Sequence, residues 1–301
     1  MTARASLGGW LLLFLSLRVN VYICGMKTLY VTDMDGTLLG SDSRVSCHSA
    51  EIISSLTQAG ALITVATART PATVVPLLSQ CRMSLPAIVM TGAAMWDWET
   101  SRYVNSQYIS LETAKQIEQM SLRYGVNMFQ YTLGTDGVLD VFHDGEMTEK
   151  ELAFVSERSD LKYKRFHLDC EYRNDRDTAL FFAMGERQRI FALADELRAG
   201  VDCSVSSYVD IFGEDTGILE LFAPVVSKAA SVKMLAQEVG ASRVVVFGDN
   251  LNDIPMMRVA DVSVAVGNAL DEVKKVASCV IDTNNTNAVA RYIRDDFYKN
   301  H

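Results

Sequence analysis

The stretch Leu29-Tyr30-Val31-Thr32-Asp33-Met34-Asp35-Gly36-Thr37-Leu38-Leu39 most narrows what this chain can become. Leu29 to Val31 is a short apolar run that reads as a buried strand. Two carboxylates spaced two apart follow it at once, Gly36 turns the backbone, and Thr37 adds a hydroxyl. A parallel strand ending in acids and a glycine turn puts those acids at the carboxyl edge of a sheet, where open α/β folds bind ligands. Two neighbouring carboxylates can hold a divalent cation. They can also divide acid and base roles, because like charges push their pKa values apart. An Asp-x-Asp taken alone is simply a strand followed by an acidic turn, so the rest of the chain must supply partners.

Three later segments supply them. Ala61-Leu62-Ile63-Thr64-Val65-Ala66 reads as a second buried strand and ends in Thr67-Ala68-Arg69. A helix between the two strands implies a parallel pair, which brings Thr67 to the same edge as Asp33. Lys228 opens a helix running to Val239. Arg243-Val244-Val245-Val246-Phe247 is a further strand, followed by Gly248-Asp249-Asn250-Leu251-Asn252-Asp253. Asp249 and Asp253 are four apart and face the same way on an incipient helix. A helix N-terminus favours acids for dipole reasons, which alone accounts for Asp253. It does not account for two strands of one sheet that both end in paired acids. Four carboxylates at one edge repel unless a cation sits among them, and oxygen donors in a chain with only four histidines indicate magnesium rather than zinc.

Composition limits the alternatives. A net charge of −9 over 301 residues argues against a nucleic-acid surface and requires any anion site to gather its positive charge locally. The six cysteines are scattered without a Cys-x-x-Cys pair, which suits reduced thiols in a cytoplasmic protein. Residues 1–25 stand apart. Trp10 to Leu17 is an apolar run behind Arg4 that is too short to span a bilayer, which takes about 20 residues. A translation start at Met26 is the favoured reading, a secretion signal the alternative, and either way 1–25 is left out of the fold. No membrane association is expected.

After Thr91-Gly92 the strict strand–helix alternation breaks down. A hairpin over Met95–Val104, a helix over Leu111–Tyr124 and strands at Asn127–Leu133 and Val138–Phe142 follow. A helix near Thr148–Arg158, a strand at Thr178–Met184, a helix at Arg187–Ala199 and strands at Ser204–Phe212 and Ile218–Phe222 complete the stretch. Such runs indicate an α+β layer inserted into an α/β domain. Its many aromatic residues read as that layer's own core. Alternation resumes at Ser227.

The ordered set of acid pair, strand-end hydroxyl, lysine and acid cluster resembles the four motifs of the haloacid dehalogenase superfamily of phosphohydrolases. Asp-Met-Asp-Gly-Thr-Leu-Leu, Ala-Thr-Ala-Arg, Ser-Lys with its later Leu235, and Phe-Gly-Asp-Asn-Leu-Asn-Asp-Ile-Pro-Met resemble its Cof-type branch, subfamily IIB. So does Ala265-Val266-Gly267-Asn268-Ala269. Ala68, Thr91 and Ala229 depart from that branch, which usually has Gly, Asn and Gly there. The resemblance implies a Rossmann-like parallel-sheet core at 26–107 and 216–301, with an α+β C2-type cap at 108–215 that sets specificity. It implies that Asp33 is the nucleophile and Asp35 the acid and base. Magnesium would be held by Asp33, the Asp35 carbonyl and Asp249. Thr67, Lys228 and Asn252 would hold the phosphoryl group, Asp253 would orient Lys228 or a metal-bound water, and Arg69 would reach the substrate. The implied activity is hydrolysis of a small phosphomonoester such as a sugar phosphate. The rivals are a phosphomutase on the same scaffold and a phosphoester-binding protein without turnover. The pattern fixes no oligomeric state.

Overall fold

The computed structural model describes residues 27–173, 175–209 and 215–300. The segment 1–25 and the start at Met26 lie outside the described residues. Five parallel strands form the core sheet in the order Cys279–Val280, Val262–Ala265, Arg243–Gly248, Thr28–Thr32, Leu62–Val65. The first strand therefore sits inside the sheet with Arg243–Gly248 on one side and Leu62–Val65 on the other. Its residues are all buried, as an apolar strand covered on both faces requires. The chain leaves this strand toward one neighbour and returns to the other, which makes Asp33 a topological switch point.

Helices close the sheet. Cys47–Gln58 is capped by Ser46, whose side chain accepts from the Ser49 N–H, and packs on Ala288–Asn300. Lys228–Glu238 is capped by Ser227 and packs on Ile254–Met257. The helix Pro71–Leu77 holds Pro76 in its last turn and ends one residue later, without restarting. Ala87–Val89 joins the sheet edge through a parallel bridge between Ala66 and Ile88. It also begins a small antiparallel sheet with Ala94–Asp97 and Arg102–Val104, the expected hairpin.

The inserted layer is a six-stranded sheet in the order Ser204–Val209, Thr216–Phe222, Thr178–Glu186, Phe129–Leu133, Leu139–His143, Lys164–Leu168. All pairs are antiparallel except the last. One face, with Phe181, Ala183, Leu219 and Leu221, packs on the helices Leu111–Arg123 and Arg187–Gly200. The other face carries Tyr131, Phe166, Phe182 and Glu220, with the helix Glu149–Ser156 against part of it.

Two sequence expectations change here. Thr216–Phe222 is an interior strand of the inserted sheet, as the reading of Ile218–Phe222 as part of that layer expected, so the domain bound set between 215 and 216 falls too early and the sheet extends to Phe222. Its apolar run suits either sheet, and only the partner strands decide. Lys164–Leu168 was not foreseen as a strand, because Lys-Arg-Phe-His-Leu carries too much charge to read as one. Among the described residues no helix is long and apolar enough to cross a membrane.

Candidate active site

Register brings the motifs together. Thr32 pairs with Phe247 and with Val65, so Asp33, Asp249 and Thr67 all fall just past the ends of three adjacent strands. The Asp33 N–H donates to the Phe247 carbonyl at 3.0 Å and the Ala66 N–H to the Thr32 carbonyl at 2.9 Å, which fixes this edge.

Lys228 lies at the centre. It is the first residue of its helix, where the helix dipole disfavours a cation. Two carboxylates offset this. Its ammonium donates to Asp33 Oδ1 at 2.5 Å and to Asp253 Oδ1 at 2.8 Å, with the lysine only 2% exposed. The other Asp253 oxygen accepts the backbone N–H groups of Asp249 and Asn250, both at 3.1 Å. Asp33, Asp249 and Asp253 each offer an oxygen within 4.8 Å of the others.

One ammonium does not neutralise three carboxylates. Burial pushes the Asp33 carboxyl up to about 7, with Lys228 pulling it down and Asp253 and Asp249 adding to the rise. Burial likewise pushes Asp249 up to about 6, against the Thr37 hydrogen bond. Burial works against the Lys228 charge too, but Asp33 and Asp253 outweigh it and its pKa rises. A donor set of hard oxygens short of positive charge fits a divalent cation.

The remaining expected residues are placed less uniformly. Asp35 is not in the buried cluster. Its carboxylate takes two hydrogen bonds from Arg69, both 2.7 Å, at the protein surface. Thr67 is buried, and its Oγ1 accepts the Arg69 N–H at 3.1 Å. Asn252 stands exposed in the turn Leu251–Asp253.

Several supporting contacts escaped sequence reasoning, although Gly36, Thr37 and Asn268 themselves lay in the motifs it quoted. The Thr37 hydroxyl donates to Asp249 Oδ1 at 2.9 Å. Gly36 has φ +76°, and a Cβ there would lie 2.4 Å from Asp249 Oδ2, so glycine is required on both counts. Asn268 and Asn284 form a bracket around the loop that follows Asp33. The Asn268 amide donates to the Gly36 carbonyl at 2.7 Å and its oxygen accepts the Asn284 N–H at 3.0 Å. The Asn284 side chain then donates to the Leu39 carbonyl at 2.8 Å. The signal for Asn268 was the Gly-Asn-Ala run; Asn284 had none. Beneath Thr67 and Arg69 lies a turn of left-handed residues, Met90 at φ +49°, Thr91 at +59° and Gly92 at +101°. Its N–H groups hold the two backbone carbonyls, Thr91 to Thr67 at 2.9 Å and Met90 to Arg69 at 3.0 Å.

The profile of the haloacid dehalogenase-like hydrolases matches residues 30–293. The chain belongs to this family. Among curated relatives of this hydrolase, the 5-amino-6-(5-phospho-D-ribitylamino)uracil phosphatase YcsE of Bacillus subtilis is 26% identical over 268 residues, covering 88% of this chain and 94% of its own. The pyridoxal phosphate phosphatase YbhA of Escherichia coli is 25% identical over 271 residues, 87% and 95% of the two chains. In fold it is similar to a haloacid dehalogenase-like hydrolase from Bacteroides thetaiotaomicron, with a TM-score of 0.73 and 23% identity over 90% of this chain and 99% of the other. It is also similar to the subclass IIB sugar phosphatase BT4131, with a TM-score of 0.67 and 17% identity over 90% and 99%. Family and relatives make the protein a phosphoric monoester hydrolase.

Proposed function

We propose that the protein hydrolyses small phosphomonoesters, sugar phosphates or similar metabolites, through an aspartyl-phosphate on Asp33, with magnesium as cofactor. The observation that carries this reading is Lys228 held between Asp33 and Asp253 with Asp249 alongside. In the first step an Asp33 oxygen attacks phosphorus in line with the leaving alcohol, and the P–O bond to the alcohol breaks. Asp35 gives its proton to the departing oxygen. In the second step Asp35 takes a proton from water, the water oxygen attacks phosphorus, and inorganic phosphate leaves Asp33 free. The Lys228 ammonium and the Thr67 hydroxyl steady the phosphoryl oxygens, with Asn252 at the rim, and Asp253 keeps Lys228 aimed. Magnesium held by Asp33, the Asp35 carbonyl and Asp249 would supply further charge neutralisation at the phosphoryl group.

The Arg69–Asp35 pair supports an exchange role for Arg69. Arg69 holds Asp35 by two parallel bonds, and a substrate phosphate that took Asp35's place on it would free Asp35 for proton transfer. The relatives named above act on small phosphorylated compounds, which supports the substrate class. We take the inserted layer as the cap, residues 108–222, and place the protein in the cytoplasm, in keeping with its free described cysteines.

The test is release of p-nitrophenol from p-nitrophenyl phosphate with magnesium. EDTA should abolish it and magnesium restore it. In oxygen-18 water, labelled inorganic phosphate should appear as substrate disappears. No turnover with any member of a phosphorylated-metabolite panel, or zinc outperforming magnesium, would overturn the reading.

A further inference from the structure

The turn that carries Asp35 is loose by sequence and fixed by its neighbours. Met34–Thr37 forms a type II turn, with Asp35 at φ −73°, ψ 122° and Gly36 at φ 76°, ψ −8°. Its central peptide links the Asp35 carbonyl to the Gly36 N–H. Glycine makes this conformation accessible, and by the same freedom it leaves others open. Contacts from elsewhere in the chain therefore set where the turn sits. One is the Thr37 hydroxyl on Asp249 Oδ1, at 2.9 Å. Another comes from the segment after the strand Val262–Ala265.

There the Asn268 amide donates to the Gly36 carbonyl at 2.7 Å. Two residues on, the Leu270 N–H donates to the Asp249 backbone carbonyl at 3.0 Å. One short stretch thus bonds both to the loop after Asp33 and to the head of the second acid cluster. It is braced from behind. The Ala269 N–H returns to the Val266 carbonyl at 2.9 Å, and the Gly267 N–H goes to the Asp282 carbonyl at 3.1 Å. The Asn284 N–H occupies the Asn268 oxygen at 3.0 Å, which assigns the donor end of that amide to Gly36.

Two observations separate this contact from ordinary loop packing. Asn268 is exposed, so it fills no core space. The turn also has no slack toward Asp249. A Cβ at Gly36 would lie 2.4 Å from Asp249 Oδ2, so any shift of the turn changes its spacing from that carboxylate directly. The Asn268 amide bonds to the peptide next to the Asp35 carbonyl, not to any of the acids.

We propose that Asn268 is a positioning residue for the magnesium site. Through the Gly36 carbonyl it keeps the Asp35 carbonyl at a set spacing from Asp249, and it touches neither metal nor substrate. The proposal rests on the magnesium-dependent phosphatase reading and deepens it, because the site's affinity for magnesium then depends on a residue outside the acids.

The test is calorimetric titration of magnesium into metal-free wild type, Asn268→Ala and Asn284→Ala. Asn268→Ala should raise the dissociation constant about tenfold, the lower end of what partners of metal ligands contribute. Asn284→Ala keeps its backbone N–H on Asn268 and loses only the bond to Leu39, outside the turn, so it should stay within about twofold of wild type. Turnover of p-nitrophenyl phosphate is followed against magnesium alongside. For Asn268→Ala the activating concentration of magnesium should rise by the same factor, while KM for the phosphoester at saturating magnesium stays at the wild-type value. A rise in that KM instead marks a substrate contact and overturns the positioning role. So does an unchanged magnesium affinity, or an equal loss in Asn284→Ala, which would mean general loosening. Asn268→Ser, whose hydroxyl falls one bond short of the amide, takes the place of the alanine variant if that variant does not fold. Wild type that turns over without binding magnesium removes the metal reading and this proposal together. The loss of affinity seen in a protein without turnover removes the hydrolase reading and leaves the positioning role standing.

Discussion

The catalytic edge and the cap face both bury a lysine, and they treat it in opposite ways. Lys228 is clasped by Asp33 and Asp253 and sits inside a completed hydrogen-bond set. Lys164 is surrounded by rings and has no carboxylate among the described residues. The first arrangement is assembled by the fold itself, which suits chemistry that is the same for every substrate. The second leaves the charge without a counter-charge from the described residues, and ring faces and a lowered pKa take its place. The lesson is that burial of a charge does not by itself mark chemistry. What matters is whether the protein supplies the counter-charge.

The largest expected effect lies on the catalytic side. Asp33→Asn should fold and lose at least about a thousandfold in kcat, because it removes the attacking oxygen while keeping the shape. Steady-state assays with p-nitrophenyl phosphate read this directly, and near wild-type turnover would remove Asp33 as nucleophile.

Next comes the paired test of the two lysines by denaturant unfolding. Lys228→Met leaves Asp33 and Asp253 buried without their cation and should cost about 3–5 kcal/mol in the absence of magnesium. Lys164→Met removes an unpaired buried charge and should be neutral or stabilising. Equal losses in the two variants would break the contrast.

Glu220 gives the cap face its own pH signature. It lies on the same face as Phe182, and burial pushes its carboxyl from 4.5 up to about 7. The folded state therefore keeps this proton to higher pH than the unfolded chain does. Its contribution to stability falls as pH rises from about 4.5 to about 7 and is fully lost above that window. Glu220→Gln should accordingly gain on the order of 2 kcal/mol over wild type at pH 8 and nothing at pH 4. A gap that does not change with pH would mean that Glu220 finds a partner.

The smallest effect concerns the strained turn. Thr91 is a β-branched residue at φ +59°, a conformation that asparagine adopts more easily. Thr91→Asn should raise stability by roughly 0.5–1 kcal/mol in thermal melts, with the hold on Thr67 and Arg69 retained. A lower melting temperature would show that Thr91 has a compensating contact.

The sequence makes these two regions unequally legible. The core strands announce themselves because each is a short apolar run ended by a polar motif, and parallel topology then brings the motif ends together. That is why the convergence of Asp33, Lys228, Asp249 and Asp253 could be expected without coordinates. The pairing of Asp35 with Arg69 was not, because it depends on side-chain reach across a loop. Asn284 was missed since an Asn-rich turn looks like any other turn. In the cap, Lys164–Leu168 went unseen, and the domain bound between 215 and 216 cut off Thr216–Phe222 although Ile218–Phe222 had been read as closing the inserted layer. There, strand identity depends on partners distant in sequence, and the local pattern is charged or uniformly apolar.

The asparagine bracket has a consequence for how the protein is made. The loop after Asp33 is synthesised well before Asn268 and Asn284, yet they hold its carbonyls at Gly36 and Leu39. The strand before it gains its neighbour Arg243–Gly248 equally late. On a ribosome adding about 5–20 residues per second, the first strand waits roughly ten seconds or more with one flank open. During that interval Leu62–Val65 is its only available sheet partner, and an apolar edge is exposed to other chains. The loop after Asp33 is thus translated well before the segments that set it, so a nascent chain that has passed Val65 still lacks a completed site.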